Sequence, residues 1–495
     1  MDASDRTECL QGTRIAMIQL ITDWALDPAG AQNVMLLHGV AGVGKSTLST
    51  TIANCLREQG RLGAFVFFDR DVKERSNPAT VIRTLAYQVS SSHVRAGKAI
   101  AAAIEKFPGV CSSPLSTQFR KLLVEPLSSV PDPNTTLVLI LDGLDECESA
   151  KKRAMLLEIL ADHSIDFPST IRVLITSRSE HDISCAFEFR QHVLTHELDT
   201  RSNTNVSDVS CYLNYRMMRV RSKIRGLSIG ADWPSEHDIL RLTERASGLF
   251  VWASTASEFI DGYDPRRRMD IVLRGDAGSG AENALDVLYR TALESAGNWS
   301  DESFIADFTA VVGIVLFARR PLSSSAIDLL LSSPGGRPCM YTISYLGCVL
   351  QKNPTVRLLH PSFADFLTTK SRCGRDIWFF DKVPHHRSLA IQCLLRLNKT
   401  LRRNLCNLTL SAYPKGETVA EDVAYACIFW VDHACKITGE TSSIMRCLRT
   451  FIDQHLLHWF EVMSILRRSR ETIQLLKNIL AWIMVSHSLS VFELF

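Results

Sequence analysis

The chain reads as an α/β protein built on a P-loop NTPase core with a five-stranded parallel sheet, and three observations predict this. The apolar run Val34-Met35-Leu36-Leu37 leads into Gly39-x-x-x-x-Gly44-Lys45-Ser46, the strand, loop and helix start of a phosphate-binding loop. A second apolar run from Leu137 to Leu141 ends in Asp142, as a central strand buried on both faces ends before an acid at its carboxyl end. Further runs at 171–176 and 190–198 continue a strand–helix alternation that folds into a parallel sheet covered by helices.

At 495 residues the chain exceeds what one hydrophobic core organises, so two to four domains are expected. A formal net charge of +2 gives no general pull toward nucleic acid or anionic lipid, and neither is expected as a partner. Fourteen cysteines occur without a Cys-x-x-Cys pair, which excludes a zinc ribbon or a thioredoxin-type motif. The polar N-terminus lacks the apolar core of a secretory signal, so reduced thiols and a cytoplasmic location are expected. The apolar segment 479–485 falls far short of the ~20 residues that cross a bilayer. No membrane span is expected.

Taken in order, the lead-in 1–33 carries a helix from Arg14 to Trp24, with Ile15, Ile18, Ile21 and Ala25 at helical spacing, broken by Asp27-Pro28. The NTPase core spans 34–200. After the loop, a helix from Thr47 to Gln59 stops at Gly60, and Ala64 to Phe68 forms the second strand. Asp69 and Arg70 close that strand, where Arg70 reads either as a phosphate sensor or as a surface ion pair. Helices are expected from Pro78 to Val89, Gly97 to Lys106 and Leu115 to Pro126, and then a polar loop over 130–136. The third strand ends at Asp142, a helix runs from Lys151 to His163, and strands at Ile171–Thr176 and Arg190–Leu198 complete the sheet. Beyond it, Arg216, Arg219, Arg221, Lys223 and Arg225 form a basic run that reads as a solvated helix face.

The chemistry of the core follows from residue type and placement. Glycines let backbone N–H groups curl around a β-phosphate, Lys45 sets a point charge beside the β and γ oxygens, and the Ser46 hydroxyl suits Mg²⁺. The helix that starts there turns its positive end toward the same phosphates. Asp142 sits where nucleotide-bound Mg²⁺ is held through water. Asp145 and Glu146, on the loop just beyond, suit orientation or deprotonation of an attacking water, the alternative being a solvated turn and helix cap. Arg178, at the tip of the strand expected beside the phosphate-loop strand, reads as a γ-phosphate reporter or as a structural ion pair.

The phrases GVAGVGKST, LVLILDGLDECE and RVLITSRSE, in that order, resemble the NACHT-type NTPases of the STAND class, and CLQGTR, FVFFDRD, TLAYQV and QFRKLLVEPL narrow the likeness to nephrocystin-like NACHT proteins abundant in fungi. The resemblance implies ATP/ADP with Mg²⁺ as cofactors. Carried over, it assigns the phosphates to Gly39, Val40, Ala41, Gly42, Val43, Gly44, Lys45, Ser46 and Thr47, and the metal to Ser46 and Asp142. It assigns the hydrolytic water to Asp145 and Glu146, and the γ-phosphate to Arg178. It also implies a helical domain over 201–280, a winged-helix domain over 281–372 and an α-helical tail over 373–495. Ala246-Ser247-Gly248-Leu249-Phe250-Val251-Trp252 resembles the helical segment after the NTPase core, with Leu249-Phe250 where related branches have an adenine-touching proline. His360 stands where related switches bond the β-phosphate of ADP; the alternative is a core histidine at a helix start.

The function so implied is an ADP/ATP-controlled switch of intracellular, NOD-like recognition: a slow ATPase whose turnover is left open, partnered by nucleotide and other proteins and self-associating on activation. A non-hydrolytic nucleotide-bound scaffold is the alternative. A GTPase would need Asn-Lys-x-Asp, and the Asn398-Lys399 pair is followed by Thr400-Leu401. His455 and His458 have no third donor at helical spacing and read as packing. No repeat of about 20–50 residues is present, so a shortened member without its sensor repeats is expected.

Overall fold

In the computed structural model the described residues are 6–70, 72–130, 136–223, 233–274, 280–331, 337–352, 354–409 and 418–492. They fall into two units, Met1–Leu288 and Tyr289–Phe495. Arg225 and most of the 130–136 loop lie outside the described residues.

The first unit is built on five strands, β1 (Val34–His38), β2 (Leu62–Phe67), β3 (Leu137–Asp142), β4 (Ile171–Ser177) and β5 (Val193–Glu197), in the order β2-β3-β4-β1-β5. All four pairings are parallel, as expected of strands linked by helical crossovers. Every residue of β3 and β4 is buried, which is why these strands read as largely apolar runs. At the sheet edge, β5 is only half covered and tolerates Thr195, His196 and Glu197.

The period of two sorts the side chains into two layers. Val34, Leu36, Leu139, Leu141, Val173 and Ile175 face one core, shared with the helix Val81–Ser92 through Ile82, Leu85 and Val89. Met35, Leu37, Val138, Ile140 and Leu174 face the other. That second core is closed by Ile21 and Ala25 of α1 (Ile15–Leu26) and by Leu48, Ile52 and Leu56 of α2 (Lys45–Glu58). Polar side chains are buried at the carboxyl ends of β3 and β4, at Asp142, Thr176 and Ser177, and one sits mid-strand: Arg172 of β4 is fully buried, and its guanidinium donates to the carbonyls of Asp27 and Gly30 in the turn before β1.

α2 begins at Lys45, two residues earlier than the spacing predicts. Gly44 has φ 99°, so a glycine in the left-handed region turns the chain into the helix without a capping side chain. The order of the sheet also sets the site: β4 separates β1 from β3, so the phosphate loop and Asp142 lie one strand apart at the same edge. Farther along, the basic run on the helix Asn203–Lys223 is partly neutralised. Arg216 pairs with Glu258 at 2.5 Å and Lys223 pairs with Asp261 of the helix Phe250–Ile260 or its end.

The second unit is mostly helical, with one short hairpin. Helices Glu302–Phe317, Ser324–Leu331 and Cys339–Tyr345 precede an antiparallel hairpin, β6 (Leu350–Gln351) and β7 (Arg357–Leu358), and then the helix Pro361–Leu367. Trp299, Phe304, Phe308 and Trp378 meet edge to face in its core. Long helices Lys382–Thr400, Glu421–Ala434, Ser442–Ile465 and Ser469–Phe492 form the tail. Among the described residues, no helix is long and apolar enough to cross a membrane.

Candidate nucleotide site

The phosphate loop is braced from outside. The carbonyl of Gly42 accepts the N–H of Val251 at 3.0 Å, and the carbonyl of Val43 accepts Arg14 Nη2 at 2.6 Å. The Arg14 guanidinium also lies 4.9 Å from the Phe250 ring. The CLQGTR and GLFVW phrases therefore meet at the loop and hold its backbone. Leu249 is buried at the start of the Phe250–Ile260 helix and Gly39 is buried in the loop, while Val40 and Ser46 are exposed and Ala41 and Thr47 half-exposed.

Lys45 lies across this loop, its Nζ donating to the carbonyl oxygens of Gly39 at 2.7 Å and Val40 at 3.0 Å. Burial pulls its pKa down to about 8, against the opposing pull of Asp145. A phosphate in the loop offers this ammonium oxygens of opposite charge in place of neutral carbonyls.

Asp142 is completely buried at the end of β3 and is held from three sides. Its Oδ1 accepts Thr176 Oγ1 at 2.6 Å and Ser49 Oγ at 2.8 Å, and its Oδ2 accepts Nη1 of Arg6. Ser49 lies one helical turn beyond Ser46, so α2 ties the phosphate loop to the acid strand across β4. The Asp142 carboxylate and the Ser46 hydroxyl are hard oxygen donors of the kind Mg²⁺ takes, and Lys45 leaves both to it. These residues fit the ion that P-loop NTPases use with nucleotide.

Beyond Gly143, the tight turn Leu144–Glu146 carries the two remaining acids. Asp145 is turned toward Arg178, which meets it with its backbone N–H at 2.9 Å and its Nε at 3.1 Å. Glu146 faces a different environment: burial lifts its pKa to about 7, with Arg70 pulling the other way. Glu146 is thereby poised to exchange a proton near neutrality. Arg70 thus acts on Glu146 electrostatically.

The sequence reading brought Lys45, Asp142, Asp145, Glu146 and Arg178 to one place, and the structure brings them there. Arg6, Arg14, Ser49 and Thr176 were missed. Arg14 is flagged by the CLQGTR phrase and Ser49 by its place one turn after Ser46, whereas nothing in the polar N-terminal stretch marks Arg6.

His360 belongs to the second unit, at the start of the helix Pro361–Leu367. Its Nδ1 accepts the Ser362 N–H at 3.1 Å and lies 2.7 Å from Ser362 Oγ, which in turn contacts Tyr289 Oη at 2.8 Å. With Nδ1 accepting from the backbone, the proton of the neutral ring sits on Nε2.

A parallel sheet of order β2-β3-β4-β1-β5, with a glycine-rich loop after β1 and a buried acid ending β3, defines a P-loop NTPase core. Residues 13–178 match the family model for the N-terminal region of nephrocystin 3. The chain is similar to the vegetative incompatibility protein HET-E-1 of Podospora anserina, 24% identical over 90% of this chain; it spans 34% of that relative's length. Among solved structures, it aligns with a signal transduction ATPase with numerous domains (STAND) from Pyrococcus horikoshii that carries a tetratricopeptide repeat sensor. That alignment has 14% identity, a TM-score of 0.40, and covers 97% of this chain and 64% of the other. A Walker-type ATPase of Pyrococcus abyssi aligns at 15% identity and TM-score 0.35, over 73% of this chain and 98% of the other.

Proposed function

We propose that this chain is an adenine-nucleotide switch of the NACHT type, in which ADP holds a resting state and ATP with Mg²⁺ an active one. The observation that carries the reading is the convergence, at one edge of one sheet, of Lys45, the buried Asp142, the Asp145–Arg178 pair and Glu146. In this reading Gly39 to Thr47 bind the phosphates, and Ser46 and Asp142 hold Mg²⁺. Glu146 takes the proton of the attacking water, Asp145 positions Arg178, and Arg178 meets the γ-phosphate. His360 would bond the β-phosphate of ADP through Nε2–H in the resting state. A switch that moves from 1:99 to 99:1 needs differential binding of about 5.5 kcal/mol, so these contacts must differ between states. Turnover is slow and serves the switch. Recognition inside the cell and self-association on activation complete the proposal.

A second reading, a scaffold that holds nucleotide without hydrolysing it, is favoured by the arginines that engage both Asp142 and Asp145. The test is to purify the full chain, denature it and identify released nucleotide by chromatography, with Lys45→Ala beside it. Stoichiometric ADP in the parent and none in the variant supports the switch. A protein empty of nucleotide that also binds neither ADP nor ATP overturns both readings.

A further inference from the structure

Residues 6–14 form a strap laid along α2, fastened at several points. The Cys9 N–H donates to Thr51 Oγ1 at 2.9 Å, and Asn54 Nδ2 donates to Glu8 Oε1 at 2.8 Å. At the far end Arg14 holds the Val43 carbonyl, and its own N–H donates to Asp208 Oδ2 at 3.1 Å. At the near end the strap delivers the Arg6 guanidinium onto Asp142 Oδ2 and over the Phe67 ring, 4.1 Å from its centroid. One short segment thus touches the phosphate loop with one arginine and the acid strand with another.

The Arg6 contact is the notable one. Asp142 is a carboxylate with a side chain 1% exposed, and such a group needs a counter-charge. The two hydroxyls on its Oδ1 are neutral, so among the described residues the cation in direct contact with it is Arg6, which comes from the strap and keeps 28% of its side chain in solvent. Lys45 is engaged on the loop carbonyls. A monovalent guanidinium and a divalent ion have the same claim on Oδ2.

We propose that Arg6 is a built-in occupant of the metal position at Asp142, displaced when Mg²⁺ binds with nucleotide, so that metal occupancy is read out as release of the strap's first turn from α2. The inference rests on the nucleotide-binding reading above. Metal-free ADP is compatible with Arg6 in place, whereas a nucleotide that carries Mg²⁺ to Asp142 removes the strap's strongest anchor at that end. The ion and the strap are then coupled, and linkage makes the coupling reciprocal: weakening the strap tightens the ion.

The experiment uses the full chain and Arg6→Gln, with hydrogen exchange of the peptide containing Cys9 as readout in three conditions: ADP with EDTA, ADP with Mg²⁺, and a non-hydrolysable ATP analogue with Mg²⁺. In the parent, exchange at the Cys9 amide rises with Mg²⁺ and stays low with EDTA; in Arg6→Gln it is high and insensitive to Mg²⁺. The Mg²⁺ concentration that half-saturates a fluorescent-ADP complex falls about fivefold or more in the variant. Arg6→Lys, which keeps the charge without the planar fork, falls between the two and guards against a folding defect, checked by thermal melting. Exchange unchanged by Mg²⁺, with half-saturation within about twofold of the parent, overturns the proposal while leaving nucleotide binding intact. Failure of parent and variant to bind either nucleotide overturns this proposal and the nucleotide reading together.

Discussion

Arg178 meets Asp145 twice, its backbone N–H 2.9 Å from Oδ1 and its Nε 3.1 Å from Oδ2, so the acid fixes both the course of the chain after β4 and the direction of the guanidinium. Asp145 has a side chain only 4% exposed, so losing Arg178 removes the hydrogen-bonding cation from a buried carboxylate. Arg178→Ala and Asp145→Ala are each expected to slow γ-phosphate release about a hundredfold, with nucleotide affinity within a few-fold of the parent. Because the pair acts as a unit, the double variant should be no slower than the slower single one. Single-turnover kinetics beside direct binding checks this, and additive losses would show that the two residues act separately.

Lys45 gives a pH dependence of definite sign. In the free protein its ammonium deprotonates as pH rises through about 8, so affinity for nucleotide holds below that value and declines above it, by up to about tenfold per pH unit. Its effect on stability runs the other way. The folded chain binds fewer protons than the unfolded chain between about 8 and the ordinary lysine value, so the destabilisation from burying this charge is relieved as pH rises through that window. Calorimetric titration of ADP at pH 7 and pH 9 checks the first statement, with Lys45→Met removing the dependence. A flat affinity between those values would mean the ammonium does not reach the phosphates.

How much was legible beforehand varies with the kind of signal. The strands β1, β3 and β4 were readable because they are buried on both faces and so carry largely apolar runs. The loop was readable because its chemistry needs glycines and a lysine at fixed spacing. Arg6 on Asp142 was not, since this contact joins residues 136 positions apart in the chain and leaves no local pattern, and the CLQGTR phrase marks Arg14 without showing that it reaches the Val43 carbonyl. The sequence pattern starts α2 at Thr47 and the structure starts it at Lys45, because Gly44 caps through its backbone conformation, for which the sequence offers only a glycine. The buried Arg172 likewise looks like a surface residue until the turn at Asp27 and Gly30 is seen to supply its carbonyls.

Glu146 offers a second titration, opposite in kind. Burial raises its folded-state pKa to about 7, so between the ordinary carboxylate range and about 7 the folded chain binds more protons than the unfolded one, and stability falls as pH rises through that interval. Glu146→Gln removes this loss: its stability relative to the parent should grow from pH 5 to pH 7 and level off above. In turnover, the parent should gain rate as the carboxylate ionises around pH 7, while the glutamine variant binds nucleotide and loses hydrolysis by about 10²–10⁴-fold. Denaturation across pH and initial rates across pH check the two halves. A glutamine variant that hydrolyses as well as the parent would move the base elsewhere.

Gly248 is the hinge on which the brace of the phosphate loop depends. It has φ +77°, and a Cβ there would lie 2.0 Å from the Thr200 carbonyl oxygen and 2.7 Å from Asn205 Nδ2. That amide already bridges the carbonyls of Thr200 and Gly248, at 3.0 and 2.9 Å. Backbone cannot yield as a side-chain tip would, so Gly248→Ala must displace the start of the next helix, which carries Val251 to the Gly42 carbonyl. Gly60 provides the control, since it too has a left-handed φ, +68°, but nothing within 4 Å of its Cβ position. Gly60→Ala should cost only the conformational term of about 1–2 kcal/mol and leave nucleotide affinity unchanged. Gly248→Ala should cost at least about 2 kcal/mol more and weaken nucleotide binding, although no phosphate-loop residue is altered. Denaturant titration and nucleotide affinity, measured on both variants, separate the two effects. Equal losses of stability, with affinity preserved in both, would show that the Val251–Gly42 contact does not hold the loop in its binding conformation.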